Sequence, residues 1–272
     1  MKEGIEKDEM GRKFIYSDTG VKVFVDFKDN LIVDQNDPII ASQARNWRYN
    51  RGLVKGLSYL GSENSEDAMT WNVFKTLEKS NPECWFSEIF PQIIFDKDEQ
   101  FIDPMLWFWD KFFPPMSRSF PEGSTQVDLT IQTSNNLIFI EAKYKADISK
   151  KTKHDPNRDQ IIRNIDVGSW AAKKRAKEFY FILLTLKTNT YSIDKLHYYK
   201  SNPSNIIEEI GSYRKDIKDY VALCENINVI YWDQILTSLQ NIRLANKTEL
   251  NFTNLIDYLN DKLFEGSGSF SK

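Results

Sequence analysis

The segments Val127-Asp-Leu-Thr-Ile-Gln132 and Leu137-Ile-Phe-Ile-Glu-Ala-Lys-Tyr-Lys145, separated by Thr133-Ser-Asn-Asn136, decide the fold. The first alternates apolar and polar residues, the second is a strand-like apolar run, and the tetrad between them has turn chemistry. Together they predict a β-hairpin. A turn symmetric about Ser134 and Asn135 pairs residues whose numbers sum to 269, which sets Asp128 opposite Glu141. Directly opposed residues project from one face with Cβ atoms about 4.5–5.5 Å apart. Along the second strand Phe139, Glu141, Lys143 and Lys145 share that face, while Ile138, Ile140, Ala142 and Tyr144 take the other.

Downstream, a polar loop leads to a helix from about Pro156 to Glu178, with Ile161, Ile162, Ile165 and Trp170 at apolar positions, and then to the uninterrupted apolar run Phe179–Leu186. Strand, helix, strand implies a right-handed crossover and a parallel pair buried on both faces. An amphipathic helix near 204–225, a strand at Asn228–Trp232 and helices from Asp233 follow.

Upstream, alternation within residues 12–36 around Ser17-Asp-Thr-Gly20 predicts another hairpin, and a helix is expected from about Ile39 to Leu60. A further helix, capped by Ser62 or Asn64, carries Glu63, Glu66 and Asp67 in its first turns and Trp71, Phe74 and Leu77 as its apolar stripe. Residues 83–125, aromatic and broken by five prolines, read as an excursion of short elements. The expected class is α/β: a central mixed β-sheet flanked by helices. The expected division is a hairpin and basic helix extension over 1–60, a main domain over 61–264 with an insert at about 83–125, and a flexible tail over 265–272.

The 272 residues, 41% hydrophobic and 28% charged, can bury a full core, which excludes collagen, coiled coil and wholesale disorder. The longest strongly apolar run, Phe179–Leu186, is far short of the roughly 18 residues of a membrane helix. The first residues lack the apolar core of a signal peptide, so a soluble, cytoplasmic protein without a membrane partner is expected. Cys84 and Cys224 are too few for a disulfide framework or a thiolate zinc site and read as small core residues. With only His154 and His197, any metal would be a hard cation bound by oxygen.

The net charge of −3 conceals a local bias. From Lys143 to Lys177 there are eleven Lys/Arg against four Asp, an excess of +7. A second basic stretch, Arg45, Arg48, Arg51 and Lys55, is interleaved with Trp47 and Tyr49 and has no acid between Pro38 and Leu60. Such local fields attract phosphate even on an acidic protein, although a solvated helix face would carry the same pattern.

Two opposed carboxylates repel unless a cation, a shared proton or water screens them. Lys143 offsets part of the repulsion. Because Glu141 ends a core strand rather than sitting at a rim, a divalent metal is the better resident: Mg2+ or Mn2+ held by Asp128, Glu141 and the Ala142 carbonyl.

Asp128, twelve intervening residues, and then Glu141-Ala142-Lys143 at the end of an apolar strand, between an acidic helix and a basic one, resembles the PD-(D/E)XK nuclease superfamily, the restriction-endonuclease-like fold. The resemblance spans about residues 62–186 and extends to the strand at Val229–Trp232; Val127 stands where the family name has proline. It implies that Asp128 and Glu141 hold the metal and that Lys143 orients or deprotonates the attacking water. Glu66, or else Glu63 or Asp67, would be the helix acid unless these acids serve only the helix dipole, and Gln160 with Arg163 would contact water or phosphate unless they are an ordinary surface pair.

The reading is therefore an Mg2+-dependent nuclease hydrolysing DNA, with a role by analogy in restriction or defence against foreign DNA. Backbone contacts would come from Lys145, Lys150, Lys151, Lys153, Arg158 and Arg163. A homodimer or partner subunits would fit cleavage of both strands. The alternatives are a non-catalytic nucleic-acid-binding or scaffolding subunit, or a nuclease acting on RNA. Trp107-Phe-Trp109 and Phe112-Phe113 read as core or interface before base-stacking, and Gly123-Ser-Thr125 as a loop.

Overall fold

The computed structural model describes residues 4–93, 104–116, 122–151, 158–245 and 252–264. Its elements begin with β1 (Glu6–Lys7), β2 (Lys13–Tyr16), β3 (Lys22–Phe24), α1 (Pro38–Asn46), α2 (Glu66–Glu78) and α3 (Pro82–Ile89). Next come β4 (Met105–Phe112), β5 (Thr125–Gln132), β6 (Asn136–Ala142), α4 (Gln160–Lys174) and β7 (Glu178–Thr185). The chain closes with α5 (Thr190–Ser201), α6 (Pro203–Ile210), α7 (Tyr220–Glu225), β8 (Ile227–Tyr231), α8 (Trp232–Leu244) and α9 (Thr253–Leu263). No helix among the described residues is long and apolar enough to cross a membrane. Two compact units result, Met1–Ser80 with Glu249–Lys272, and Asn81–Thr248.

In the first unit β1, β2 and β3 form an antiparallel sheet, and the β2–β3 hairpin turns at Ser17–Gly20 as expected. The helix expected over 39–60 stops at Asn46. Gly52 and Gly56 adopt φ of 72° and 86°, which helical backbone excludes, and the chain folds back so that Tyr59 N donates to Trp47 O at 3.1 Å. The cap of α2 is Ser65, whose hydroxyl accepts from Ala68 N, rather than Ser62 or Asn64; the Ser62 hydroxyl is instead taken by Asn64 N. The stripe of Trp71, Phe74 and Leu77 is fully buried. Trp71 Nε1 donates to Val33 O, Asn72 Nδ2 to Asn30 O, and Ile32 N to Asn72 Oδ1, all within 3.1 Å. These bonds explain why α2 belongs to the N-terminal unit and not, as the sequence suggested, to the main domain.

The second unit is built on a five-stranded mixed sheet of order β4-β5-β6-β7-β8 flanked by helices, the expected fold class. β4, β5 and β6 run antiparallel to one another, and β6, β7 and β8 run parallel. The β5–β6 register is the predicted one: Leu129↔Ile140, Thr130↔Phe139, Ile131↔Ile138 and Gln132↔Leu137. Lys177 Nζ fastens the turn by donating to the carbonyls of Thr133 and Ser134. β4 lies inside the segment read as an excursion, and Phe108 and Trp109 spend their bulk on the core. The single helix expected over 204–225 is instead α6 and α7, preceded by α5; Asn202 caps α6 just ahead of Pro203.

α4 is the crossover helix. Asp159 caps it by accepting from Ile162 N, and its apolar side meets Leu137, Phe139 and Phe179. Gly168 permits the close approach, since a Cβ there would lie 2.1 Å from the Phe179 ring and 2.9 Å from that of Phe139. Those rings already stand edge to face with centroids 5.4 Å apart.

The outer side of α4 is held by buried charge. Asp166 accepts from Arg158 Nη2 (2.7 Å), Tyr213 OH (2.8 Å) and Arg214 Nη1 (2.6 Å), and Arg214 forks onto Asp216 at 2.9 and 3.1 Å. Burial works against ionisation of Asp216, but the hydrogen bonds and charge of Arg214 outweigh it and hold the carboxyl below its ordinary value. Arg158, expected to contact phosphate, is 3% exposed and belongs to this framework.

Two outcomes test this packing. Gly168→Ala is expected to cost about 1–3 kcal/mol by overpacking, read as a lower urea midpoint. A carboxyl with a depressed folded pKa stabilises above its unfolded value and loses that contribution as pH falls through the folded one. Asp216→Asn should therefore lower the thermal midpoint at pH 7 and narrow the difference from wild type below about pH 4.

Candidate active site

The carboxylates meet at the end of the predicted register. The β5–β6 ladder stops at Leu129↔Ile140, and the next free amide, Ala142 N, donates to Asp128 Oδ2 at 2.9 Å. On the other side of β5 the ladder to β4 is interrupted between Phe108↔Leu129 and Asp110↔Val127, so Trp109 stands across from Asp128. Trp109 has φ of 54°, a costly conformation for a bulky side chain, and Gln126 Nε2 satisfies its carbonyl. Asp128 thus sits where both neighbouring ladders break, and its carboxylate turns toward the β6 backbone.

Glu141, the penultimate residue of β6, is 1% exposed. An isolated carboxylate so placed would be prohibitively desolvated, and three donors compensate it. Lys143 Nζ approaches Oε1 at 2.6 Å, Gln160 Nε2 donates to Oε1 at 2.6 Å, and Asn164 Nδ2 donates to Oε2 at 2.8 Å. Gln160 and Asn164 are one helical turn apart on α4 and so share a face. The i, i+4 spacing from Gln160 is the signal in the sequence that places Asn164 at the site.

Lys143, 6% exposed, is the centre of the site. Its ammonium lies 2.6 Å from Glu141 Oε1, 2.9 Å from Ala142 O and 3.9 Å from Asp128 Oδ2. The three oxygens expected to ligate a metal therefore converge on one cation position, which the lysine fills. Trp232 Nε1 fixes the Lys143 carbonyl at 3.0 Å, and Lys143 N donates to Leu184 O at 2.7 Å. The Asp128 side chain, 20% exposed, is the part of this cluster most open to solvent.

The loop after β6 closes on the same group. Asn189 Nδ2 ties down the carbonyls of Tyr144 and Ala146, each at 3.1 Å. Ser149 N donates to Gln160 Oε1 and Gln160 N to Ser149 O, also at 3.1 Å. Gln160 accordingly bridges Glu141 and the loop that presents Lys145, Lys150 and Lys151 to solvent. Lys150 stacks its ammonium on the Tyr191 ring at 4.4 Å. Lys153 lies outside the described residues. Arg163 is drawn to the protein itself, donating to the carbonyls of Gly123 and Ser124 and pairing with Glu122 at 3.2 Å.

The helix acids are in the first unit. Glu66 lines a cleft beside Asp67, Asp67 Oδ2 accepts from Gln43 Nε2, and Glu63 accepts from Lys22 N. Among the described residues no group of three or more His, Cys, Asp or Glu side chains could hold a metal. The donor set at Lys143 is two carboxylates and one carbonyl. All three are hard oxygens, which suits magnesium, an ion that takes one or two carboxylates and keeps several waters.

Removing the ammonium should leave the buried Glu141 carboxylate with the neutral amides of Gln160 and Asn164 but without the Lys143 counter-charge. Lys143→Met is expected to cost about 3–5 kcal/mol in denaturant unfolding, with partial recovery in the Lys143→Met/Glu141→Gln double variant. A neutral single variant would show that the ammonium does not hold the site together. Comparison with protein-family models, with curated proteins and with solved structures gave no match, so the chemistry of this site rests on its own geometry.

Proposed function

We propose that the second unit is a metal-dependent nuclease of the PD-(D/E)XK type that hydrolyses phosphodiester bonds of DNA. The observation that carries this reading is the convergence of Asp128 Oδ2, Glu141 Oε1 and Ala142 O on a single cation position. The order of β4, β5, β6, α4 and β7 around that position supports it.

Asp128, Glu141 and the Ala142 carbonyl would hold Mg2+ or Mn2+. When bound, such an ion supplies a Lewis acid for the phosphoryl oxygen and a lowered pKa for a bound water. Lys143 gives up Glu141 Oε1 and turns its ammonium, on a flexible stem with three donors, toward the attacking water and the charge developing on phosphorus. Gln160 and Asn164 keep Glu141 oriented throughout. Lys145, Lys150 and Lys151 meet the strand's phosphates, contacts that position nucleic acid without reading its sequence. Restriction or defence against foreign DNA is the biological role that such a stand-alone enzyme would serve.

A second reading, a non-catalytic nucleic-acid-binding or scaffolding subunit, is favoured by one observation: Lys143 already neutralises Glu141. Titration calorimetry separates the two. A nuclease binds Mg2+ at a site that vanishes in Asp128→Ala and Glu141→Ala, whereas a scaffold shows no such site.

Activity gives the direct test. With Mg2+, the wild type should cleave DNA and lose cleavage on chelation. Asp128→Ala, Glu141→Ala and Lys143→Ala should each fall by a factor on the order of 100 or more. Full activity in all three variants would sink the assignment, and cleavage of RNA in preference to DNA would correct the substrate.

A further inference from the structure

The first unit carries a cleft that the reaction proposed above does not use. After α1 the chain makes a loop closed by Tyr59 N on Trp47 O at 3.1 Å and by Arg48 Nη1 on Gly56 O at 3.0 Å. The loop sets Trp47 and Tyr59 along a cleft of about 250 Å3, together with Asn64, Glu66 and Asp67 from the start of α2. Both aromatic side chains remain open to solvent, Trp47 at 51% and Tyr59 at 42%. Tyr59 is backed by Tyr49, with ring centroids 4.0 Å apart at 30°, so its ring is held in place before any ligand arrives.

Two further observations define what fits. Asn64 Oδ1 is buried and accepts no hydrogen bond from any described residue, an arrangement that proteins generally avoid. Arg45 in the last turn of α1 and Arg48, Arg51 and Lys55 on the loop are all exposed, with no acid between them in sequence. The volume lies below the roughly 300–1,000 Å3 of sites for drug-sized ligands, which suits one planar ring system. Flat rings stack on exposed Trp and Tyr, and phosphates are drawn to the four cations. A cationic side chain from a protein partner would also stack on the rings and be drawn to Glu66 and Asp67, but it would leave the four exposed cations of the adjoining segment without a counter-charge.

We infer that this cleft receives a single unpaired guanine from a single-stranded nucleic acid. The base stacks on Trp47 and Tyr59 and the flanking phosphates lie along the basic segment from Arg45 to Lys55. Asn64 Oδ1 and the neighbouring carboxylates offer acceptors, and guanine presents adjacent N1–H and N2–H donors along one edge. Adenine and cytosine offer only an exocyclic amine there, and thymine a single ring N–H. All of these residues lie in the first unit, so the site stands apart from the nuclease reading and is tested without it.

The test is fluorescence anisotropy on the full chain in chelator, where metal-dependent cleavage is silent. The probes are an oligothymidine about twelve nucleotides long and the same strand with one central guanine. The guanine strand should bind about ten-fold tighter, and Trp47→Ala should weaken its binding on the order of ten-fold or more. Asn64→Leu should abolish the preference while leaving oligothymidine binding in place. Arg48→Ala with Arg51→Ala should weaken both strands alike and flatten the salt dependence. Trp47 is half exposed, so its truncation keeps the test open should Asn64→Leu fail to fold. Equal affinity of the wild type for the two strands, or unaltered guanine binding by Trp47→Ala, overturns the inference. So does binding of an oligoarginine peptide with no binding of either oligonucleotide.

Discussion

The second unit is organised around the need to keep one carboxylate ionised inside a sheet. Glu141 sits at the end of a strand whose residues are all buried, and bare desolvation there would be prohibitive. Its compensation comes from three directions: an ammonium two residues on, and two amides one helical turn apart on α4. Each donor fixes more than the acid. Gln160 also closes the loop after β6, and Lys143 is held through its own backbone by Trp232 and Leu184. The position of α4 over the sheet follows from the charge as much as from the apolar side chains.

The same helix is gripped again along its outer side, where Asp166 gathers two guanidinium groups and a phenol. Between these polar anchors the interface is apolar and tight enough to require glycine at position 168. Buried ion pairs are weak evidence for net stability, because desolvation consumes much of their Coulombic gain. Their directional hydrogen bonds instead select one register of helix on sheet. That constraint holds the oxygens of Asp128, Glu141 and Ala142 around a common point.

The sequence made the heart of this arrangement legible, and the reason is geometric. A strand has a side-chain period of two and a short turn pins its register, so Asp128 and Glu141 could be matched from numbering alone, and the ladder follows that register as far as Leu129↔Ile140, one pair short of the two acids. The crossover helix and β7 were legible from periodicity and from an unbroken apolar run. β4 was not, because prolines surround it and Trp109 breaks its alternation with a left-handed residue that sequence pattern does not encode. The end of α1 depended on two glycines adopting positive φ, and the grouping of α2 on buried side-chain bonds to Asn30 and Val33. The basic segment misled in a different way. Composition counts charges but not their partners, and Arg158 and Arg163 are turned to protein carboxylates and carbonyls.

The break at Trp109 reaches beyond the acid it faces. β4 is the outermost strand of its sheet, and eight residues of regular edge would offer another chain a template for pairing. The left-handed residue interrupts that template midway, and Asp110 and Lys111 follow it immediately with exposed charge. One irregular residue thus breaks the ladder beside a carboxylate on its inner flank and, on its outer margin, the regular edge that strand pairing between chains requires.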